Sequence, residues 1–211
     1  MTSSSTSSIN RLKTIIITNH KMTEPNLCYH CKKKEPYLKI DFYTHKLCKK
    51  CFIGIVEKRI RKYIRVNELF DARDNICVIN DGSSSGILSE YMIRELSEKM
   101  PIRITVRKRL SESAAEKFDK IILPINADRY TDSFFDKLFF GNAREFYKDN
   151  KKIISILQSI TEKECHHFVK IKKLGEPKLE NHLLDEFESP YPETKFASLK
   201  SIELLGKIIK S

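Results

Sequence analysis

Four cysteines in two close pairs constrain the N-terminal part of the chain more than any other feature. Cys28 and Cys31 form one Cys-x2-Cys pair, Cys48 and Cys51 form the other, and 16 residues lie between the pairs. Two such pairs supply four thiolates to one tetrahedral zinc ion, and the segment between them can fold back as a hairpin. Four thiolates leave no open coordination position, so we expect a structural ion rather than a catalytic one. An iron–sulfur cluster is the alternative occupant.

The other cysteines and the nearby histidines are expected to have structural or surface roles. His30 and His45 lie near the pairs, but four thiolates already complete the coordination shell, so neither is predicted to be a ligand. Cys77 lies within an apolar run, which predicts a buried core thiol. Cys165 follows the start of a predicted helix, and it too is interpreted as structural.

The positive charge of the chain is confined to its first third. The net charge is +11; residues 1–66 contain 15 Lys and Arg against 4 Asp and Glu, and residues 67–211 contain 24 against 24. A basic module joined to a neutral body is typical of a polyanion-binding attachment, the alternative being a solvated lysine-rich surface. A helix is predicted from Phe52 to about Val66. Its cationic residues are the predicted contacts to nucleic-acid phosphates: Lys58, Arg59, Arg61, Lys62 and Arg65.

Strands and helices alternate in the remainder of the chain. Short apolar runs predict strands at 76–79, 102–106 and 120–123. Helical patterns follow at 87–100, 131–140 and 194–210. Such an alternation predicts an α/β fold with a parallel sheet and flanking helices. Thr161 and Glu164 have the spacing of a capping box at the start of another helix.

Composition and spacing together predict three segments. Residues 1–25 are Ser- and Thr-rich and are predicted to be a disordered N-terminal extension. Residues 26–66 form the predicted zinc module with its basic helix, and residues 67–211 the α/β domain. No apolar run approaches the roughly 20 residues of a membrane helix, and the N-terminal segment does not have the pattern of a secretory signal. We therefore expect a cytoplasmic protein without a membrane partner.

A polar turn after the first predicted strand is a candidate anion-binding loop. It consists of Asn80, Asp81, Gly82, Ser83, Ser84 and Ser85. Backbone amides at the start of a helix attract phosphate, although a plain strand–helix connection has the same composition. The turn resembles a degraded SGGxDS pyrophosphate loop of the enzymes that adenylate tRNA bases. Asp81 places a negative side chain where polyphosphate must approach, and Ser84 replaces a carboxylate that could hold magnesium, so ATP binding is doubtful.

A second stretch supports the same resemblance. Residues 126–141, NADRYTDSFFDKLFFG, match the pattern N-A-D-D-x-A-E-T-x(3)-N-x(3)-G at unchanged length. The Asn-Ala-Asp start and the final Gly141 are kept. Arg129 stands in place of the second Asp, and Asp132 in place of the Glu. The stretch therefore keeps the length of the pattern but has fewer acidic residues at its positions.

In its order of motifs the chain resembles the cytoplasmic tRNA 2-thiolation protein 2 family over roughly residues 26–211. The matching pieces are CKKCFIGIVEKRIRKYI, DGSSSGIL and LLDEFESPYPETKFASLKSIELLGKI. The resemblance implies an adenine-nucleotide-hydrolase-like fold with a degenerate pyrophosphate loop. It also implies a non-catalytic, tRNA-binding scaffold subunit whose partner is a catalytic thiolase of the same fold. The implied reaction is 2-thiolation of uridine 34, with sulfur supplied by the thiocarboxylate of a ubiquitin-like carrier.

Two other functions remain open at this stage. One is an active ATP-dependent enzyme that adenylates and thiolates tRNA despite the altered loop. The other is a zinc-ribbon interaction or DNA-binding module attached to an unrelated α/β body. Outside the two pairs the chain has only Cys77 and Cys165, which form no recognisable sulfur-handling motif. This favours the non-catalytic interpretation.

Overall fold

The structure is a computed structural model that describes residues 27–38, 46–141, 146, 152–188 and 193–210. The predicted disordered extension 1–25 lies outside these residues, as do His45 and part of the segment between the cysteine pairs. No helix in the described ranges combines the length and the apolar content needed to cross a lipid bilayer.

The cysteine pairs lead directly into the first helix, α1 (Lys49–Val66). An antiparallel bridge joins Leu38 to Leu47, consistent with a hairpin between the pairs. Helix α1 starts three residues earlier than predicted because Cys48 is its N-cap, so the second cysteine pair forms the first turn. Its buried residues follow the expected helical spacing: Phe52, Val56, Ile60 and Ile64.

Four parallel strands form the sheet, in the spatial order β2-β1-β3-β4. They are β1 (Asn75–Ile79), β2 (Arg103–Arg107), β3 (Lys120–Ile122) and β4 (Ile153–Ile154). The helices after α1 are α2 (Ser84–Ser97), α3 (Glu112–Ala115), α4 (Ala127–Phe140), α5 (Glu162–Lys172), α6 (Asp185–Glu188) and α7 (Thr194–Lys210). The predicted α/β class is therefore confirmed.

The strand order creates a crevice beside β1. The chain passes from β1 to β2 on one side and then returns to place β3 on the other side of β1. In open parallel sheets, ligands bind at the carboxyl ends of the strands where the order reverses in this way. The loop after β1 and the segment after β3 both begin at this edge of the sheet. The fold thus brings residues 80–83 next to residues 123–126.

One apolar core connects α1 with the α/β body. Phe52 and Ile60 of α1 belong to the same buried cluster as Leu88 of α2 and Phe168 of α5. The boundary at residue 66 between a module and a domain therefore stays a prediction, since packing is continuous across it. Cys77 and Cys165 are completely buried, in line with their expected structural roles.

Candidate functional site

The four paired cysteines converge on one point. One ligand atom from each lies within 4.8 Å of the others, and the sulfurs of Cys31 and Cys48 are 3.9 Å apart. The turn of the first pair is closed by a hydrogen bond from the Lys32 amide to the Cys28 carbonyl. Lys32 adopts a left-handed conformation with φ 52° there. The four thiols could therefore hold a metal, and a tetrahedral ion with metal–sulfur bonds of about 2.3 Å would need sulfurs at about this spacing.

The thiols differ in how readily they ionise. Burial alone would raise the pKa of Cys28, but backbone hydrogen bonds, chiefly from Cys31 and Cys48, outweigh it and lower the pKa to about 6. Burial raises the pKa of Cys51 to about 12, and the neighbouring sulfurs add to this shift. Four thiolates so close together repel one another, so full ionisation requires a cation among them.

A basic groove lies between the cysteine pairs and α1. It encloses about 630 Å³ and contains the exposed side of the cysteine cluster. Lys58 and Lys62, two of the predicted phosphate contacts, lie one helical turn apart along it and are exposed. Other polar residues of the groove come from the first cysteine turn and the start of α1: His30, Lys33, Lys34 and Lys50.

The remaining cationic residues of α1 have different surroundings. Arg59 borders the groove, but its guanidinium donates to the buried carboxylate of Glu164 and to the Ser159 carbonyl. Arg61 lies 3.3 Å from Glu57 on another face of the helix. Arg65 is exposed. Of the five predicted contacts, the structure therefore brings two together in the groove and engages two others in ion pairs.

Backbone amides of the loop after β1 are hydrogen-bonded to side chains of the same loop. The Gly82 amide donates to Asn80 Oδ1 at 3.0 Å, and the Ser83 amide donates to Asp81 Oδ1 at the same distance. Ser83 caps α2 by accepting from the Gly86 amide at 3.1 Å. A Cβ atom on Gly86 would lie 2.7 Å from Asp81 Oδ1, so only glycine lets the loop fold this closely onto α2. The amides of Gly82, Ser83 and Gly86 thus already face amide, carboxylate and hydroxyl oxygens of the loop.

Asp81 is held in its charged form by these contacts. Burial tends to raise its pKa, but hydrogen bonds from Ser83 and the charge of Arg129 outweigh burial and lower the pKa. Arg129 lies 3.4 Å from Asp81 Oδ2 and donates to both oxygens of Glu180 at 2.6–3.0 Å. The arginine that replaces an acidic residue of the family pattern therefore spans the crevice from the loop to the C-terminal segment.

The Asn-Ala-Asp start of the second motif makes hydrogen bonds to residues on two other sides of the crevice. Asn126 caps α4 by accepting from the Arg129 amide, and its own amide donates to Ser85 at 2.9 Å and to Glu162 at 2.6 Å. Asp128 is buried and accepts from the Glu162 amide at 2.5 Å. The kept residues of the motif therefore connect the loop to the start of α5.

Sequence reasoning missed several residues of this crevice. Lys195 is almost completely buried and lies 2.7 Å from Asp128 and 2.5 Å from Asp185. Glu180 and His182 lie beside Glu162, within metal-ligand distance of one another. Glu180 and His182 precede the terminal piece of the family resemblance, and Lys195 lies within that piece, which suggested no role for it. The one available signal was the cluster of charged residues within an otherwise unpatterned stretch.

Cys165 lies directly behind the loop, near Ser85. Sequence reasoning had not placed it there. It is completely buried, and burial together with the charge of Glu162 raises its pKa well above the ordinary thiol value. A thiol in such surroundings stays protonated and shielded from solvent, which opposes reactivity. The predicted capping box of Thr161 and Glu164 is present one turn earlier.

Comparison with known proteins supports the fold and one local similarity. A segment of 79 residues, 37% of the chain, is 28% identical to Cytoplasmic tRNA 2-thiolation protein 1 of Eremothecium gossypii and covers 21% of that protein. No family model matches. The structure is similar to the U34-tRNA thiolase NcsA from Methanococcus maripaludis, solved with its 4Fe-4S cluster. The TM-score is 0.68 at 16% identity, covering 86% of this chain and 87% of that one. The chain therefore has the thiolase fold.

Proposed function

We propose that this chain is a non-catalytic, tRNA-binding subunit of a complex that 2-thiolates the wobble uridine of tRNA, a counterpart of cytoplasmic tRNA 2-thiolation protein 2. The thiolase fold and the local similarity to a tRNA 2-thiolation protein support the pathway. The loop after β1, whose amides are already hydrogen-bonded, supports the non-catalytic role. The name of the 79-residue relative favours the cytoplasm as the location.

This hydrogen-bonded loop carries most of the proposal. Phosphate binding at a helix start needs free backbone amides and a site that tolerates added negative charge. Here the Ser83 amide donates to Asp81, whose carboxylate is already a fixed anion in the loop. Arg129 is engaged by Asp81 and Glu180. A polyphosphate would have to displace Asp81 and break these contacts. The free energy lost in doing so would weaken ATP binding, whereas an active ATP site has no such contacts to break.

We assign the cysteine cluster to one structural zinc ion. The 3.9 Å between the sulfurs of Cys31 and Cys48 fits a single tetrahedral ion. A cubane cluster places eight iron and sulfide atoms between its cysteine ligands and so holds their sulfurs much farther apart. The related thiolase has a 4Fe-4S cluster, and this spacing is the reason not to transfer that cofactor to the four cysteines.

We assign the basic groove to tRNA. Its lysines lie on one side of the cysteine cluster, where phosphates could approach without meeting the acidic crevice. Lysines that contact phosphates recognise the charge of the nucleic-acid backbone and not its base sequence. Other parts of the complex would therefore have to distinguish one tRNA from another. Arg59, Arg61 and Arg65 remain proposed contacts of lower rank, since the first two already have carboxylate partners.

We propose a catalytic thiolase subunit of the same fold as the protein partner, with a ubiquitin-like sulfur carrier delivering sulfur to that subunit. Exposed apolar side chains cluster on α4 and α7, which pack against each other. Phe140 is 88% exposed, and Leu204 and Ile208 are 60% and 62% exposed. Apolar surfaces of this kind are typical of protein interfaces.

The test is sulfur incorporation at the wobble uridine in a reconstituted complex. The chain alone should release no pyrophosphate from ATP and magnesium, while the complex should thiolate tRNA. Cys165→Ala should leave thiolation by the complex intact, because that thiol is buried and protonated. Restoring the loop with Asn80→Ser, Asp81→Gly and Ser84→Asp should not make the isolated chain thiolate tRNA.

Three outcomes would contradict the proposal. Pyrophosphate release by the isolated chain would favour an active enzyme. Preference for duplex DNA over tRNA would favour a DNA-binding protein. A folded Cys165→Ala variant that binds partner and tRNA but no longer supports thiolation would assign sulfur chemistry to this subunit.

A further inference from the structure

We propose that Glu162, Glu180 and His182 form a second metal site, for a first-row divalent cation such as zinc, in the crevice beside the loop after β1. One ligand atom from each residue lies within 4.8 Å of the others. This inference rests on neither tRNA binding nor a protein partner. The site differs from the cysteine cluster in offering nitrogen and oxygen ligands.

Two buried atoms of this cluster have no well-aligned hydrogen-bond partner among the residues that the structure describes. Glu162 is 1% exposed, and the His182 side chain is 5% exposed. Within the described ranges Glu162 Oε1 and His182 Nε2 accept no hydrogen bond of ordinary geometry, and the Ser84 hydroxyl is a further polar group beside the Glu162 carboxylate. A buried polar atom without a partner costs about 1–3 kcal/mol, and one explanation for such an atom is an ion that completes its coordination. The two atoms lie on residues that approach within ligand distance of each other.

The imidazole of His182 is oriented as metal-bound histidines are. Its Nδ1 lies 2.7 Å from Asp132 Oδ2, and Asp132 also accepts from the Leu183 amide at 3.2 Å. A carboxylate that accepts from one ring nitrogen fixes the tautomer and leaves the lone pair of the other nitrogen available to a metal. The contact therefore presents Nε2 as a ligand.

The carboxylate of Glu162 is held with one oxygen engaged and the other available. Asn126 donates to Oε2 at 2.6 Å, and the Ser85 hydroxyl lies 3.3 Å from the same oxygen. Asp128 fixes the backbone by accepting from the Glu162 amide. These contacts come from the first turn of α2 and from the start of α4. They fix the direction of Oε1 before any ion binds.

Glu180 completes the set and is fixed by Arg129. The guanidinium donates twice to Glu180 Oε2 and once to Oε1, so Oε1 is the oxygen that retains a lone pair for a cation. Arg129 brings a positive charge close to the site, but acidic groups outnumber the cationic ones around it. The cations are Arg129 and Lys195; their ion-pair partners, the partner of His182 and the proposed ligands supply the carboxylates Asp81, Asp128, Asp132, Glu162, Glu180 and Asp185.

The ligand types select the class of ion. One imidazole and two carboxylates suit zinc or manganese, whereas calcium and magnesium prefer sites made of oxygen alone. Three protein ligands leave at least one coordination position for water or for an anionic group from outside. The cysteine cluster has no such position. The chain would then contain one closed sulfur site and one open nitrogen–oxygen site.

The test is metal content and affinity in the full chain. Purified protein is loaded with zinc alone, dialysed and analysed for metal, and we expect two zinc ions per chain. Glu162→Gln with His182→Gln should reduce this to one. Glu176→Gln, which changes an exposed carboxylate outside the cluster, should leave it at two. With cobalt as the probe, the double variant should keep the thiolate absorption of the cysteine site.

Two milder variants guard against a loss of folding. Glu180→Gln changes a residue that is 40% exposed, and Asp132→Asn alters only the residue that positions His182. The second should weaken zinc binding at this site about 10- to 100-fold. One zinc ion in the wild type, two in the folded double variant, or unchanged affinity in both milder variants would overturn the proposal.

Discussion

The cysteine cluster and the crevice after β1 satisfy their polar groups in different ways. Four thiols of the cluster lie close together, and a cation among them would offset the repulsion between their thiolates. In the crevice, Asp81 is paired with Arg129, and Asp128 with Lys195. The first region is arranged to receive an ion from solution. In the second region, side chains of the protein itself form most of the ion pairs.

Under the proposed non-catalytic role, this difference illustrates how a ligand-binding fold keeps its shape without its ligand. In the crevice, Asp81 supplies the anion that a phosphate would supply, and Arg129 supplies the cation that a metal would supply. Both are fixed by neighbouring residues, so the strand–loop–helix geometry survives without nucleotide. In the cluster of Glu162, Glu180 and His182 the internal pairing is incomplete, because Glu162 Oε1 and His182 Nε2 accept no well-aligned hydrogen bond from the described residues.

Removing a cysteine ligand should produce the largest effect. Cys28→Ser or Cys48→Ser should unfold the N-terminal module, because zinc ligation supplies folding free energy on the order of 10 kcal/mol. Calorimetry with and without a chelator measures this directly. The chelator should destabilise the wild type strongly and the variant little. Cys77→Ala, which removes a buried thiol outside the cluster, is the control and should keep the chelator effect. Wild-type protein that contains no zinc when purified under reducing conditions would contradict the assignment.

Breaking the internal ion pairs should produce the next largest effect. Lys195→Met leaves Asp128 and Asp185 without their cation, and Asp128 is buried. Removing one member of a buried ion pair costs about 3–5 kcal/mol of unfolding free energy. Denaturant unfolding at neutral pH measures the loss. Adding Asp128→Asn should recover part of it, since a neutral amide no longer needs the lysine. If the single variant is as stable as the wild type, the crevice is not held together by its internal charges.

The contrast also explains what the sequence could and could not reveal. The cysteine pairs, the capping box at Thr161 and the alternation of strands and helices depend on residues close in sequence, and the fold was predicted from them. The predicted helix starts at 87 and 131 were too late, because Ser83 and Asn126 act as caps and the helices begin at Ser84 and Ala127. The partners of Arg129 and Asp128 come from residues 180 and 195, some 50 to 70 positions away. Neither motif names a partner so far away in sequence, so only the fold could reveal these pairs.

The groove provides a third test, of moderate size. Lys58→Gln and Lys62→Gln should each weaken tRNA binding for all tRNAs alike. Each should also reduce the slope of log affinity against log salt by roughly 0.7 to 0.9. Arg61→Gln removes the same charge from another face of α1, where Glu57 lies nearby, and should change the slope less. Filter binding or fluorescence anisotropy over a range of salt concentrations measures both quantities. Equal effects of all three variants would mean that net charge, rather than the groove, determines binding.

The smallest effect should come from the charge of Asp81. Its pKa is lowered in the folded protein, so its carboxylate stabilises the fold above the unfolded pKa of about 3.9, and this contribution is lost as the pH falls through the lowered value. Asp81→Asn should therefore reduce the unfolding free energy at neutral pH and have no effect in strong acid. The side chain is 37% exposed, so solvent screening should keep the difference within about 0.2–1 kcal/mol.

Denaturant unfolding between about pH 7 and pH 3 separates this effect from a general loss of charge. Asp136→Asn serves as the control, because that aspartate is exposed on α4, away from the loop. The Asp136 variant should follow the wild-type curve at every pH, whereas the Asp81 curve should meet it only in acid. An Asp81→Asn variant that is more stable than the wild type at neutral pH would mean that the loop carboxylate is strained rather than satisfied. The loop would then be suited to bind an external anion. The crevice would resemble the cysteine cluster, in which the side chains are arranged for a ligand from solution.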